Sequence, residues 1–387
     1  MSCAADRPLN LVMIGPYPED PHRVQRGVEA VTVNLVEGLK HLPGIALQVI
    51  SCKPHQAESS KDIDGVRVHF LSAARHLGNI TLGAADRIRV QRRVEALSPD
   101  LVHNQYHFAY PYLFSKPPVP TVTTVHGISF KEAPYENEAL DWVRRVPRLC
   151  LERLVLRNAE QVICVSSYVR ETIAPLTRAK LYVVDNPVAD RFFGAAQREI
   201  PNRLLFVGAI TRRKNILDLL KAAAMLRDEA PLSLHVVGVV EEVYYFRALQ
   251  DFVRANGLGD VVTFCGAITD AEVVREYEEA AVVVLPSFEE SAGIVLEQAM
   301  AAGKPAVATR VGGIPCIVTD GVTGWLTRLG DVRELAQALR GLLGDERQRR
   351  LMGSAGREQA VRRFSNRGVA EATCAVYRAV LDGRWAA

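Results

Sequence analysis

The chain has 387 residues, 48% of them hydrophobic, with 47 basic and 44 acidic side chains and a formal net charge of +3. That length suits about two to three domains with ample apolar material for their cores, and so balanced a charge excludes a whole-chain field directed at nucleic acid. The seven cysteines are scattered, odd in number and never spaced Cys-x-x-Cys, which predicts reduced thiols and excludes a disulfide frame or zinc knuckle.

Residues 1–8 lack a basic leader, and the apolar stretch 9–15 is too short for a signal peptide or a membrane span. A cytoplasmic protein is expected, free to lie against a membrane face. Short apolar runs then alternate with longer amphipathic segments. Strands are predicted at 9–14, 46–51, 66–71, 100–103, 121–125 and 161–165, with helices at 28–42, 82–97 and 138–158 between them. Residues 186–202 hold Pro187 and Pro201 and no long apolar run, and read as a linker. The alternation then restarts. Strands are predicted at 204–207, 234–237, 261–264, 281–285 and 306–308, and helices at 216–227, 243–256 and 293–302. Thr269-Asp270-Ala271-Glu272 has the spacing of a capping box, and from 331 to 382 the chain reads as mostly helical. Strands recurring with helices between them imply parallel βαβ units with right-handed crossovers, twice over.

The most informative stretch runs from the apolar strand 280–285 through Pro286-Ser287 into Glu290-Ser291-Ala292-Gly293-Ile294-Val295-Leu296. A buried strand, a sharp turn and a helix start place unpaired N–H groups and a partial positive charge beside an acid. That pairing suits a phosphate and a polyol together, as in a sugar nucleotide. Two basic groups, Arg213 and Lys214, follow Gly208 in the loop closing the strand 204–207. Read alone, Thr211-Arg212-Arg213-Lys214 is as well a solvated basic loop.

Pro286-Ser287 through Glu290-Ser291-Ala292-Gly293 to Ala299-Met300, Gly303 and Pro305 resembles the signature of the retaining glycosyltransferases of family four. Further segments resemble the same family in order. They are Arg26-Gly27-Val28-Glu29, Thr124-Val125-His126-Gly127, Val165-Ser166-Ser167, Asp185-Asn186-Pro187-Val188, Phe206-Val207-Gly208 with Arg213-Lys214, Gly312-Gly313-Ile314-Pro315 and Asp320-Gly321-Val322-Thr323-Gly324. The resemblance implies an α/β GT-B fold, with two doubly wound Rossmann-like domains facing each other across a cleft. The first would be an acceptor-side domain, residues 1–188, completed by a C-terminal helix, 366–387, that crosses back. The second, 189–365, would bind the donor.

The same resemblance implies transfer from a nucleoside-diphosphate sugar, UDP- or GDP-linked, to a hydroxyl of a glycan, lipid-linked or small-molecule acceptor. It implies no cofactor and no metal, and the nucleotide sugar is a substrate. Lys214 and Arg213 would neutralise the departing diphosphate, Glu290 would bond donor sugar hydroxyls, and His126 would face the transferring centre as a hydrogen-bonding group. Gly27, Gly208, Arg212, Ser291, Ala292, Gly293, Ile294 and Val295 would line the donor through backbone or charge. Ile268 would flank the nucleobase and Gln298 the ribose. Two positions depart from the family. Ala209 stands where most members carry arginine, and Gln298 where they carry glutamate, with Glu297 one place earlier and about 100° round the helix.

Other readings stay open at this point. Ala209 and Gln298 motivate a catalytically weak nucleotide-sugar-binding subunit that needs a partner, and a sugar-nucleotide epimerase shares the architecture. An oxidoreductase would need Gly-x-Gly-x-x-Gly after the first strand, where the chain reads Gly15-Pro16-Tyr17-Pro18-Glu19-Asp20. His103 and His107 are spaced i, i+4, but a strand-ending His103 argues against zinc. Tyr106, Phe108, Tyr110, Tyr112 and Phe114 suit core packing or an acceptor sugar. Arg144, Arg145, Arg148, Arg153 and Arg157 interleave with apolar residues from Trp142 onward. That pattern reads as a buried helix with a solvated basic edge, or as a peripheral contact with an anionic membrane face.

Overall fold

The computed structural model describes residues 7–21, 27–54, 57–73, 84–105, 119–135 and 141–385. The chain divides into two compact units. One comprises Met1–Phe130, Glu138–Pro187 and Asn366–Ala387, and the other Lys131–Asn137 and Val188–Ser365.

In the first unit β1 (Leu9–Ile14), α1 (Gly27–Lys40), β2 (Ile45–Pro54), β3 (Ser59–Ile63), β4 (Val66–Ala73), α2 (Ala84–Leu97), β5 (Leu101–Asn104) and β6 (Thr121–Val125) come in succession. The short α3 (Ser129–Glu132) begins there, and α4 (Asp141–Asn158), β7 (Gln161–Cys164), α5 (Ser167–Ile173) and β8 (Lys180–Val183) follow. The sheet order is β3-β4-β2-β1-β5-β6-β7-β8, parallel throughout except for the β3–β4 hairpin. Strands such as Leu11–Ile14 and Leu101–Asn104 are buried along their length, as parallel strands covered on both faces must be.

The second unit opens with α6 (Asp190–Phe193), inside the stretch expected to be a linker. It continues through β9 (Arg203–Val207), α7 (Ile216–Leu226), β10 (Ser233–Val237), α8 (Val243–Ala255), β11 (Val262–Gly266), α9 (Asp270–Glu279), β12 (Val282–Leu285), α10 (Ile294–Ala301), β13 (Ala306–Thr309) and β14 (Gly324–Thr327). Helices α11 (Val332–Gly344) and α12 (Glu346–Arg363) close it. The expected capping box holds: Thr269 Oγ1 accepts from the Glu272 N–H while the Glu272 carboxylate accepts from the Thr269 N–H. The sheet order is β11-β10-β9-β12-β13-β14, all parallel.

The last helix, α13 (Asn366–Trp385), belongs to the first unit. Its Val369, Ala370, Cys374, Tyr377 and Val380 join one core cluster with Leu35, Val36 and Leu39 of α1 and Leu11 and Met13 of β1. No helix among the described residues is long and apolar enough to cross a membrane.

Each sheet winds outward in both directions from its first strand. In such sheets the loops at the carboxyl ends of the two strands flanking the reversal diverge and leave a crevice. In the second unit those strands are β9 and β12; in the first they are β1 and β5.

Candidate functional site

The loop after β9 is shaped by its own sequence. Gly208 donates its N–H to Val237 O at 2.9 Å. Residues Arg212–Lys214 form a 3-10 turn, which Asn215 ends in the left-handed region at φ 51°. Asparagine tolerates that region better than most side chains, and here its amide also bonds Asp218 at 2.8 Å. The turn sends its basic residues in two directions. Arg212 is about half exposed and faces Glu242. Arg213 turns inward, with a guanidinium nitrogen 2.8 Å from Glu289 O and 3.5 Å from Glu290 Oε2. Lys214 Nζ lies 2.5 Å from Glu290 Oε1.

The loop after β12 brings the partners. Glu290 is 6% exposed and also accepts from Ser287 Oγ at 2.7 Å, while Thr309 Oγ1 donates to Ser287 O. Phe288 donates its N–H to Arg213 O at 2.8 Å. The Phe288 ring stacks on Tyr135, centroids 5.1 Å apart and planes 2° from parallel. The Glu290 carbonyl accepts from Gly313 N–H at 2.7 Å. Gly312 sits at φ +50°, where a Cβ would come within 2.1 Å of Glu290 O, so the glycine at 312 is what lets that backbone close on the acidic turn.

Gly293 caps α10 at φ 103°. The helical ladder starts with Leu296 N–H to Gly293 O at 2.8 Å, which leaves Ser291, Ala292, Gly293, Ile294 and Val295 at the amide-rich end of a helix. Tyr277, fully buried on α9, anchors the first turn by donating to Val295 O at 3.1 Å.

Burial opposes charge on both members of the central pair, with opposite outcomes. For Glu290, burial alone would raise the pKa. The charges of Lys214 and Arg213, with hydrogen bonds from Lys214 and Ser287, outweigh it and bring the carboxyl down to about 2. For Lys214, burial lowers the pKa and wins, although Glu290 and Glu132 support the cation. Glu290 therefore stays ionised at all ordinary pH, and its charge opposes the effect of burial on Lys214.

A second polar cluster lies in the first unit. His126 follows β6, and its Nε2 is 2.6 Å from Gln105 Oε1, just past β5. An amide oxygen only accepts, so the proton of His126 is on Nε2. Gln105 Nε2 in turn lies 3.2 Å from His103 Nε2, whose one lone pair it shares with the Thr124 hydroxyl at 2.7 Å. That leaves His103 Nδ1 to donate to Tyr377 Oη of α13 at 2.6 Å. Burial pushes His103 down to about 3, helped by the neighbouring His126. It pushes His126 down to about 4, against a hydrogen bond with Asn186. Both rings are neutral near pH 7. Past His126, the buried Glu152 of α4 accepts from the N–H groups of Ser129 and Phe130 at 2.7 and 3.3 Å, fixing the start of α3.

Of the residues named from sequence, Lys214, Arg213 and Glu290 converge at the start of α10. Arg212 does not join them. Gln298 Oε1 lies 3.0 Å from Tyr277 Oη and shares that single hydroxyl proton with Val295 O, and a carbonyl oxygen has a second lone pair. Ile268 lies in the loop after β11, and Gly27 is the exposed first residue of α1. Arg26, Tyr106, His107, Phe108, Tyr110, Tyr112 and Phe114, and the side chains of Trp142, Arg144, Arg145 and Arg148, lie outside what is described. Further along α4, Arg153 and Arg157 are exposed while Leu151 and Val155 pack into the core. Sequence reasoning did not single out Ser287, Gln105, Glu152 or Tyr377. Ser287 lay within the quoted motif, but the other three carry no local signal and meet their partners across the sheet.

Residues 25–192 match the family described as Glycosyltransferase Family 4, and residues 190–359 match Glycosyl transferases group 1. An α-maltose-1-phosphate synthase of Mycolicibacterium smegmatis is 32% identical over 68% of this chain and 73% of its own length. An MMP α-(1→4)-mannosyltransferase of Mycolicibacterium hassiacum is 28% identical over 84% and 80%. Among solved structures, sucrose-phosphate synthase from Thermosynechococcus elongatus superposes with a TM-score of 0.80 over 97% of this chain and all of that one, at 24% identity. Anabaena HepE in complex with UDP-glucose gives 0.72 over 96% of this chain and all of its own, at 18% identity. The two doubly wound units are thus the GT-B pair, and the chain belongs to the group 1, family 4 glycosyltransferases.

Proposed function

We propose that this glycosyltransferase takes its sugar from a nucleoside diphosphate, UDP- or GDP-linked, and passes it to a hydroxyl of a glycan, lipid-linked or small-molecule acceptor. Anomeric configuration is retained and no metal ion takes part. The observation that supports this reading best is the convergence of Lys214 and Arg213 on Glu290, in the loop that leads into α10 at the reversal point of the second sheet.

Transfer breaks the bond from the anomeric carbon to phosphate oxygen and forms one to the acceptor oxygen on the same face. The acceptor proton passes to the departing phosphate, so no separate base is needed. The energetic difficulty is the negative charge on the leaving diphosphate. A lysine ammonium at ~4 Å from a phosphate oxygen contributes about 4 kcal/mol at an effective dielectric of 20, and the helix start and Arg213 add directed donors. Lys214 carries three N–H groups and spends one on Glu290, so the others remain for phosphate. Ser287 and Lys214 hold one oxygen of Glu290, and we assign the carboxylate's remaining acceptor capacity to donor sugar hydroxyls. His126, neutral and with its Nε2–H committed to Gln105, is assigned hydrogen bonding rather than proton abstraction.

The test is a screen of nucleotide sugars by thermal shift and calorimetry, beginning with UDP-glucose, beside a turnover assay in EDTA. A true donor at 100 times its Kd should stabilise the protein by about 2.7 kcal/mol. Lys214→Ala and Glu290→Ala should each cut kcat by roughly 100-fold or more. Full activity in both variants overturns the residue roles, and loss of activity in EDTA overturns the metal-free reading. Tight binding with no turnover on any acceptor would favour the partner-dependent subunit that Ala209 and Gln298 motivate.

A further inference from the structure

The outer edge of the second sheet carries a cluster that the transfer reaction does not use. His235 on β10, Cys265 on β11 and Glu276 on α9 each point one ligand atom into a common space, with all three atoms within 4.8 Å of one another. His235 Nδ1 and Glu276 Oε2 are already 2.8 Å apart, and each of those side chains is 18% exposed, so the place is open to an ion yet not freely solvated. We propose that His235, Cys265 and Glu276 form a binding site for a zinc-class divalent cation.

Three observations support it independently. The donor set is one imidazole, one thiol and one carboxylate. These are zinc's own ligand types, and the sulfur selects against magnesium or calcium. Three protein ligands leave a fourth tetrahedral position for water. The backbone is also irregular here. Pairing runs Val236↔Phe264 and then Val237↔Gly266, so Cys265 is the extra residue of a β-bulge in an edge strand. Bulges re-aim side chains and concentrate near functional positions. The distances are also close to what an ion needs. Zinc bonds of about 2.0–2.3 Å place ligand atoms roughly 3.3–3.8 Å apart, so the nitrogen and oxygen part by about half an ångström and the sulfur closes by about one at most. Cys265 has a long contact of 3.8 Å to Thr263 O and a backbone hydrogen bond with Val236 to give up. Arg203, the nearby cation, is held by Glu279. On binding, the Sγ proton leaves to solvent, and the Nδ1 proton that His235 donates to Glu276 passes through solvent to Nε2, so that the neutral imidazole offers its Nδ1 lone pair to the ion. The spacing of 30 and 11 residues matches no knuckle pattern, which is why the cysteine count alone pointed away from zinc.

The test uses the full chain and Zn2+ alone as probe, by competition with a metal indicator, followed by Co2+ substitution. The expected result is one ion per chain, with Cys265→Ser and His235→Gln each weakening binding by at least about tenfold, and Cys374→Ser leaving it unchanged. Cobalt should show a thiolate charge-transfer band that Cys265→Ser abolishes while the melting curve in EDTA stays that of the parent. Binding of equal strength in Cys265→Ser, or a cobalt complex without that band, overturns the proposal. None of these residues is Lys214, Arg213 or Glu290, so failure here leaves the reading of the transfer site intact.

Discussion

The two polar clusters solve one problem in opposite ways. In the first unit, His103, His126, Gln105, Thr124 and Tyr377 are held as a neutral chain in which each donor meets an acceptor. In the second, Lys214 and Arg213 are paired with an ionised Glu290, and opposite charges compensate one another. A neutral chain loses one hydrogen bond at a time. A compensated charge set leaves an uncancelled buried charge as soon as one member goes.

The sharpest break of this contrast is therefore Lys214→Met or Glu290→Gln. Each should cost about 3–5 kcal/mol in urea denaturation as well as most of the turnover. The double variant should regain much of the stability and none of the activity, because replacing both buried partners is often near neutral. A double variant as unstable as the sum of the singles would show that the two do not act as a pair.

Acid should separate the clusters next. His103 is lowered from 6.5 to about 3, so the unfolded chain binds more protons below pH 6.5 and stability falls with pH from there. Between pH 6.5 and 5, 1.5 units, the loss for this one group is about 2 kcal/mol. His126, lowered to about 4, adds in the same direction. Glu290 is lowered from 4.5 to about 2, so its stabilisation is intact above pH 4.5 and is lost only as pH falls toward 2. Hydrogen exchange at pH 5 should show β5, β6 and α13 losing protection before β12 and α10, and simultaneous loss would contradict this assignment.

Gly312→Ala should follow, costing about 2–3 kcal/mol, since the new Cβ meets Glu290 O at 2.1 Å and φ is +50°. Urea midpoints and the Kd for donor would both shift. Smallest should be Tyr377→Phe. It strands the His103 Nδ1–H and should cost about 1–3 kcal/mol, read as a lower Tm with KM for donor unchanged.

Sequence pattern found most strands, and for physical reasons. Leu9–Ile14 and Thr121–Val125 were read with their observed bounds because apolar parallel strands stand out. Ser59–Ile63 was missed because an edge strand of Ser-Ser-Lys-Asp-Ile has no apolar run. It is held by antiparallel pairing to β4 across the Asp64-Gly65 turn. At the site, the nearness of Lys214 to Glu290 was legible through motif order. The choice between Arg212 and Arg213 was not, since the direction of each depends on the turn ending at Asn215. Gln105 beside His126 was likewise invisible, because it follows from β5 and β6 lying side by side with Asn104 opposite Thr123.

One feature orders events in time. Residues 188–365 supply nearly the whole second unit in one uninterrupted stretch, whereas the first unit waits for α13. Until Val369, Tyr377 and Val380 emerge from the ribosome, α1 and β1 lack part of their apolar covering and His103 lacks its phenol. The half of the protein made first is thus the half completed last, and its unfinished core is the surface that a chaperone or protease meets during synthesis.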